Sequence, residues 1–243
     1  MRYGLISDIH ANLEALEVVL AALRQESVDQ ILCLGDVIGY GPSPNECAKL
    51  VQESAAVCLV GNHDEASLGR VDLDLFNYMA RQAIEWTTEQ LSETSLQFLK
   101  ALPYTKSYGE FMIVHASPDD PRRWNYILNL EDAERGFKAF TEKICFVGHS
   151  HTPWVIPLPP DGRMRVLHDY PLAIKADCRY LINIGSVGQP RDRNPEAAFG
   201  ILDTVPLRYT LKRVPYEVTV TQKKIRATGV LPGFLADRLA TGQ

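Results

Sequence analysis

The stretch YGLISDIHANLEALEVVLAALRQESVDQILCLGD, residues 3–36, decides the fold. An apolar run, Tyr3–Ile6, stops at Ser7, and Asp8 and His10 follow it directly. Leu13, Leu16, Leu20 and Leu23 then recur at helical spacing, which predicts a helix from about Leu13 to Arg24 with Asn12 as its N-cap. A second apolar run, Ile31–Leu34, stops at Gly35 and Asp36. Strand, helix and strand in this order predict a parallel pair joined by a right-handed crossover. Open α/β sheets collect their functional groups at the carboxyl ends of the strands. Both runs place a carboxylate there.

The pattern continues outward. GYGPSPNE, residues 39–46, reads as a loop, and a short helix near Asn45–Glu53 leads to a third strand, Ala56–Val60. Residues 71–102 read as two helices broken near Ser92, long enough to form a cap beside the strand ends. Strands near 104–108 and 111–115, a loop at 117–126, a helix near Leu130–Phe140 and a strand at Ile144–Val147 come next. Short β segments near 153–158, 164–169, 180–184, 197–203 and 207–213 follow, and the tail from 216 to 243 carries one or two short helices. The expected architecture is α/β, beginning parallel and finishing antiparallel, in a single domain over residues 1–243.

Composition bounds the function. The chain has 46% hydrophobic and 23% charged residues, an ordinary globular balance. Its net charge is −5 with no basic block, which argues against a nucleic-acid-coating role and against a DNA nuclease. No apolar stretch is long enough for a membrane span. Five cysteines without a CxxC pair, and no basic-then-apolar leader, point to a reducing, cytoplasmic setting. Cys33, Cys58 and Cys145 fall inside predicted strands, where a free thiol packs as a small hydrophobe.

Three segments share one outline: ILCL-G-D ending at Asp36, CLV-G-N ending at Asn62, and CFV-G-H ending at His149. Adding the groups after the other strands gives Asp8, His10, Asp36, Asn62, His63, His115, His149 and His151. These are oxygen and imidazole donors without a thiolate, a set that suits Mn²⁺, Fe or Zn²⁺ in an open catalytic site rather than structural zinc. They are too many for one ion and about enough for two. Two divalent ions bring four positive charges. Asp8 and Asp36 return two, and a hydroxide between the ions a third, leaving a site that attracts a phosphate anion.

Asp8-x-His10, Gly35-Asp36, Gly61-Asn62-His63-Asp64, His115 and Gly148-His149-Ser150-His151 resemble, in order, the five blocks of the calcineurin-like metallophosphoesterases. NIGSVGQPRD, residues 183–192, is similar to a segment of small bacterial and archaeal members. The resemblance implies two mixed β-sheets packed as a sandwich between helices. It implies two divalent metal ions, Mn²⁺ foremost, with Fe, Zn²⁺, Ni²⁺ or Mg²⁺ as substitutes. One ion would take Asp8, His10, Asp36 and His151; the other would take Asp36, Asn62, His115 and His149. A hydroxide bridging the ions would attack phosphorus in line. His63 would stay off the metals and protonate the leaving oxygen, and Asp64 would orient it; the alternative for Asp64 is a helix N-cap.

Relatives that act on phosphoproteins or dinucleoside polyphosphates carry GDxxDRG, whose arginine grips phosphate. Here Tyr40 stands at that arginine's place. The expected substrate is therefore a small phosphorylated molecule of nucleotide type, a phosphodiester or an activated phosphomonoester. Serine/threonine protein phosphatase and dinucleoside-polyphosphate hydrolase are the alternatives within the family. Arg191 or Arg193 supplies a phosphate contact in place of the missing arginine. A non-catalytic metal-binding interaction module is the rival from another class; the intact His63–Asp64 pair counts against it. Arg122, Arg123, Trp124 and Tyr126 lie on a loop that either lids the site or packs against the fold.

Overall fold

The computed structural model describes residues 1–243. The amino-terminal run is β1 (Arg2–Ile6), α1 (Leu13–Gln25), β2 (Gln30–Cys33), α2 (Pro44–Ser54) and β3 (Val57–Cys58). Asn12 caps α1, its side chain accepting the Ala15 N–H at 3.2 Å. A six-residue helix, α3 (Asn62–Ser67), follows β3. The expected helical stretch contains α4 (Tyr78–Gln90) and α5 (Glu93–Lys100). The break falls at Ser92, whose hydroxyl caps α5 by accepting the Ser95 N–H at 3.2 Å. The chain continues through β4 (Thr105–Ser107), β5 (Phe111–Val114), α6 (Leu130–Lys138), β6 (Ile144–Val147), β7 (Trp154–Leu158), β8 (Leu172–Ala173) and β9 (Arg179–Asn183). It ends with β10 (Ala197–Thr204), β11 (Leu207–Val214), α7 (Val218–Ala227) and α8 (Gly233–Asp237).

The strands form two mixed sheets, ordered β3-β2-β1-β10-β11-β8 and β4-β5-β6-β9-β7. β1, β2 and β3 are parallel, whereas β10 and β11 join the same sheet antiparallel. In the second sheet β5, β6 and β9 are parallel and the edges β4 and β7 are antiparallel. Alternation along the strands explains the layering. Leu5 of β1 and Ile144 and Phe146 of β6 meet between the sheets with Leu32, Leu34 and Ile182. Ile6 faces the other way, onto Leu16, Leu20 and Leu23 of α1. Cys145 and Val147 face Ala133 and Phe137 of α6. The result is a sandwich of two sheets with helices outside, four layers thick. All five cysteines are free and buried, and no helix is long and apolar enough to cross a membrane.

One local expectation needs correction, and one helix had none. Residues 164–169 do not form a strand; Leu167 makes one isolated bridge to Val155, and β8 begins only at Leu172. Arg163 and Arg165 alternate with apolar residues there, which imitates strand periodicity on a segment that leaves the sheet edge. The helix α3 had no apolar period to announce it, because its sequence is NHDEAS.

Candidate metal centre

Both sheets deliver polar groups to one end of the sandwich. Asp8 and His10 follow β1, Asp36 follows β2, Asn62 and His63 open α3, His115 follows β5, and His149 and His151 follow β6. All eight are buried. The donor atoms of seven of them fall into three tight groups: Asp8 with His10 and His151, His10 with Asp36 and His63, and Asp36 with His115 and His149.

The backbone that carries them is strained. Asp8, His10, Asp36, His149 and His151 all have φ between 49° and 65°, five of the ten non-glycine residues in that region. L-residues rarely adopt it, and such strain collects at functional sites where the surroundings enforce it. Two glycines of the shared motif have a separate reason to be glycine. A Cβ at Gly61 would lie 2.1 Å from Asp36 Oδ1, and one at Gly148 would lie 2.5 Å from Asp8 Oδ2. The carboxylates are seated directly on neighbouring backbone. Asp36 Oδ1 accepts the His63 N–H at 2.9 Å, and the Asp8 carboxylate accepts the His149 N–H at 3.1 Å.

Each of four imidazoles is fixed by a backbone carbonyl. Nδ1 of His10 donates to Ile38 O at 3.2 Å, Nδ1 of His115 to Leu34 O at 3.0 Å, and Nδ1 of His151 to Gln189 O at 2.6 Å. His149 does the same with Nε2, which donates to Trp124 O at 2.8 Å. A carbonyl only accepts, so the N–H of each neutral ring must be on that side and the other nitrogen presents a lone pair. Those lone pairs converge. Nε2 of His10 and Nε2 of His151 face each other at 3.1 Å. Nε2 of His115 lies 3.3 Å from Asp36 Oδ2 without an aligned hydrogen bond, and Asn62 Oδ1 is buried with no partner. Buried acceptors that face one another are costly unless a cation joins them. The donor set therefore fits divalent metal, with outer-shell carbonyls of the kind that orient metal-bound histidines.

The electrostatics agree. Burial, reinforced by neighbouring cations, holds His10 and His151 well below the usual imidazole range and brings His149 to about 3, so all three are neutral donors. Burial also raises Asp8 to about 6. Burial alone would lower His115 too, but the adjacent Asp36 carboxylate outweighs it and lifts the ring to about 9, so without a cation its Nε2 carries a proton that a bound metal ion would displace. Asp36 in turn is held below the usual carboxylate range, the surrounding imidazoles overcoming burial. The cluster attracts positive charge.

His63 differs from the other four rings. No carbonyl fixes it; its Nδ1 is buried without a partner, and the ring packs 4.4 Å from Tyr40 and 4.9 Å from His10. Asp64 does not touch that ring, so its expected direct orienting contact is corrected. Its Oδ1 accepts the N–H groups of Val37 and Ile38 at 3.0 and 3.2 Å, and its Oδ2 accepts that of Gly61 at 2.9 Å. The carboxylate is consumed by the loop that carries Asp36 and by the start of α3, where it accepts the N–H of the N-cap residue Gly61, which has no side chain to reciprocate.

The two arginines separate as well. Arg191 is at the cluster: its guanidinium carbon lies 5.8 Å from the Tyr40 ring centroid, its Nη2 donates to Gln189 Oε1 at 2.9 Å, and its Nε is buried without a partner. Arg193 is not brought there; it is exposed, and its N–H donates to the Gly242 carbonyl at 2.8 Å. Tyr40 turns its ring into an apolar cluster with Ala83, Ile225 and Leu239 while edging His10 at 4.8 Å. On the loop over the site, the Tyr126 ring stacks on His149 with centroids 3.9 Å apart.

Some contributors lie in the NIGSVGQPRD segment, where Asn183 and Ser186 had no individual role legible in the sequence. Asn183 Nδ2 donates to Gly148 O at 2.6 Å and to Ser150 Oγ at 3.0 Å, and its Oδ1 accepts the Gly185 N–H at 2.8 Å. Ser186 Oγ donates to Asp8 O at 2.8 Å. The 183–189 segment is thus a brace for Asp8 and for the turn bearing His149 and His151. Asn183→Ala leaves those groups short of partners in a buried place, an expected loss of about 1–3 kcal/mol. Thermal unfolding should show a midpoint lower by several degrees. Metal affinity, read by titration with Mn²⁺, should fall about 10–100-fold, as when an outer-shell partner is removed.

A two-sheet sandwich with carboxylates and imidazoles converging at the strand ends is the architecture of the metallophosphoesterases. Comparison with known proteins agrees. The model of the calcineurin-like phosphoesterase superfamily domain matches residues 1–205. The chain belongs to that superfamily. It is 37% identical to the uncharacterized protein MJ0912 of Methanocaldococcus jannaschii, over 99% of this chain and 98% of that one. The crystal structure of a metallophosphoesterase from Sphaerobacter thermophilus superposes with a TM-score of 0.87 at 43% identity, covering 100% of this chain and 99% of that one. The hypothetical protein PH1004 of Pyrococcus horikoshii OT3 shares the fold, with a TM-score of 0.78 at 18% identity over 100% of this chain and 98% of that one.

Proposed function

We propose that this chain is a dinuclear metal-dependent phosphoesterase acting on small nucleotide-type phosphodiesters or activated phosphomonoesters. The observation that carries the reading is the set of four carbonyl-fixed imidazoles whose other nitrogens converge on Asp8 and Asp36, with the Asn62 Oδ1 buried and unpartnered at the start of α3. One ion would be held by Asp8, His10, Asp36 and His151, and the other by Asp36, Asn62, His115 and His149. Divalent ions in such a site act as Lewis acids on the phosphoryl group and lower the pKa of water. The protein's own groups do the rest. Asp36 holds the start of α3 through the His63 N–H while presenting Oδ2 to His10 and His115 at 3.6 and 3.3 Å. Trp124 O holds the face of His149 toward the cluster. Arg191, with an unpartnered Nε, supplies a cation for a phosphate oxygen. His63, free of any carbonyl, is the group left to give a proton to the departing oxygen.

The test is a substrate panel. The purified chain is loaded separately with Mn²⁺, Fe²⁺, Zn²⁺, Ni²⁺ and Mg²⁺ and offered cyclic nucleotides, nucleoside phosphates, dinucleoside polyphosphates, phosphopeptides and single-stranded DNA. Metal-dependent turnover of the small nucleotides, greatest with Mn²⁺, is the expected result. Turnover confined to phosphopeptides would overturn the inference drawn from Tyr40. Stoichiometric metal with no turnover of any substrate would leave the non-catalytic interaction module as the correct reading.

A further inference from the structure

Four aromatic rings other than histidine touch the imidazoles of the cluster: Tyr40 on His10, Phe76 on His63, Trp124 on His115 and Tyr126 on His149. Tyr40 is buried and Phe76 and Trp124 are half-buried, whereas Tyr126 is 45% exposed. The Tyr126 ring lies nearly parallel to the His149 imidazole, with centroids 3.9 Å apart and planes inclined by 21°. One of its faces is thus covered by a candidate metal ligand, and the exposed surface is the other face and the edge. Trp124, two residues earlier, meets His115 edge-on at 6.0 Å. Together the two rings pave the side of the centre that holds His115 and His149. The opposite side is closed, since Leu235 and Leu239 pack over Tyr40 and leave a crevice of only about 10 Å³ beside His10. The paving is braced from behind. The Ser117 N–H donates to Asn125 O at 3.1 Å across the base of the loop. Tyr104 lies 5.8 Å from Trp124, donates its hydroxyl to Glu65 Oε2 at 2.9 Å, and carries the Arg122 guanidinium carbon 4.6 Å from its ring centroid. A braced aromatic face loses little freedom when a ligand settles on it. Every nucleobase has a π-face able to stack there.

We propose that the outer face of Tyr126 is the platform on which the substrate's base stacks, and that the substrate carries a flat heteroaromatic base one sugar away from the scissile phosphate. The inference rests on the phosphoesterase reading and deepens it, because it names the part of the substrate that the protein recognises and the residue that recognises it. His149 joins the two halves. Its Nε2 is held by Trp124 O, its other nitrogen belongs to the cluster with Asp36 and His115, and its ring face carries Tyr126. A phosphate at the metals and a base on Tyr126 therefore lie on adjoining sides of one imidazole, a separation that a single ribose spans. Stacking reads area and not the hydrogen-bonding edge, so purines should bind somewhat better than pyrimidines and no single base should be selected.

The experiment uses the full chain loaded with Mn²⁺, together with Tyr126→Ala, Tyr126→Phe and Tyr126→Leu. Calorimetry compares adenosine monophosphate with ribose phosphate, which share the phosphate and sugar and differ in the base. The wild type should bind the nucleotide about tenfold to a hundredfold more tightly, and Tyr126→Ala should remove most of that preference. Tyr126→Phe should keep it, since the ring and not the hydroxyl does the stacking. The kcat/KM ratio for an adenosine cyclic phosphate over the matching base-free ribose cyclic phosphate should fall in Tyr126→Ala by a similar factor. A ring that merely covers His149 would lower both substrates together and leave the ratio where it was. Equal affinities in the wild type, an unchanged ratio in Tyr126→Ala, or a loss in Tyr126→Phe as large as in Tyr126→Ala would each overturn the platform. If Tyr126→Ala does not fold, Tyr126→Leu, which keeps an apolar cover on His149, decides, a ratio equal to wild type counting against the proposal. If the wild-type chain hydrolyses nothing with any metal, the phosphoesterase reading fails, and the calorimetric ratio still decides the platform.

Discussion

Asp36→Asn is expected to lose at least one metal ion per chain and to lower kcat/KM by about a thousandfold or more, roughly 4 kcal/mol of lost transition-state stabilisation. The substitution is nearly isosteric. An asparagine oxygen can still accept the His63 N–H that Asp36 Oδ1 accepts at 2.9 Å, so the turn into α3 survives. What disappears is charge. Asp36 and Asp8 are the two carboxylates presented to the cluster, and Asp36 belongs to two of its three donor groups. Its Oδ2 lies 3.3 Å from His115 and 3.6 Å from His10, between donors from both sheets. Halving the negative charge among buried donors weakens cation binding far more than it would in water. Elemental analysis after reconstitution gives the stoichiometry, and circular dichroism with thermal unfolding checks that the fold is kept. Full metal content with wild-type turnover in Asp36→Asn would falsify the proposed sharing of Asp36 between two ions.

The centre was legible in the sequence where local rules act and hidden where distant backbone acts. The strand–glycine–ligand outline at Asp36, Asn62 and His149 is local, and the glycines have their steric reason in the contacts that a Cβ would make at Gly61 and Gly148. The helix α1 announced itself by leucine spacing and by Asn12. The carbonyls that choose each tautomer could not be read, since Leu34 serves His115 and Gln189 serves His151 across the fold. Nothing in a sequence marks left-handed backbone at Asp8, His10 or Asp36, because packing imposes it. Asp64 shows the limit of adjacency. It follows His63 in the chain, yet along the first turn of a short helix neighbouring side chains point apart, and its carboxylate reaches the 37–38 amides instead. Arg191 and Arg193 stand two apart in the sequence, and the left-handed φ of 65° at Arg193 is where the chain turns toward Gly242 and away from the site.

His63→Asn should keep the metal content of the wild type and lower kcat for poor leaving groups, such as an unactivated nucleoside, by about a hundredfold to a thousandfold. Bis(nitrophenyl) phosphate should lose far less, because nitrophenolate departs without a proton. The expectation follows from what this ring lacks. The four other histidines of the cluster each spend one nitrogen on a carbonyl, whereas His63 Nδ1 has no partner, and a Cβ on Gly39 would lie only 2.7 Å from it. Its position is set from below by its own N–H on Asp36 and at the sides by Tyr40 and by Phe76, whose centroid is 5.3 Å away. Burial brings the ring down to about 4, so it stays neutral until an anion arrives beside it and favours the imidazolium. A phosphate that binds next to His63 thereby charges the group that protonates its leaving oxygen. Asp64→Asn is the control that separates chemistry from scaffolding. It weakens the bonds to Val37, Ile38 and Gly61, so it should lower thermal stability and slow good and poor leaving groups by the same factor. Only His63→Asn should split them. Equal loss for both leaving groups in His63→Asn would reduce this ring to a packing element of the site and leave the proton to come from solvent.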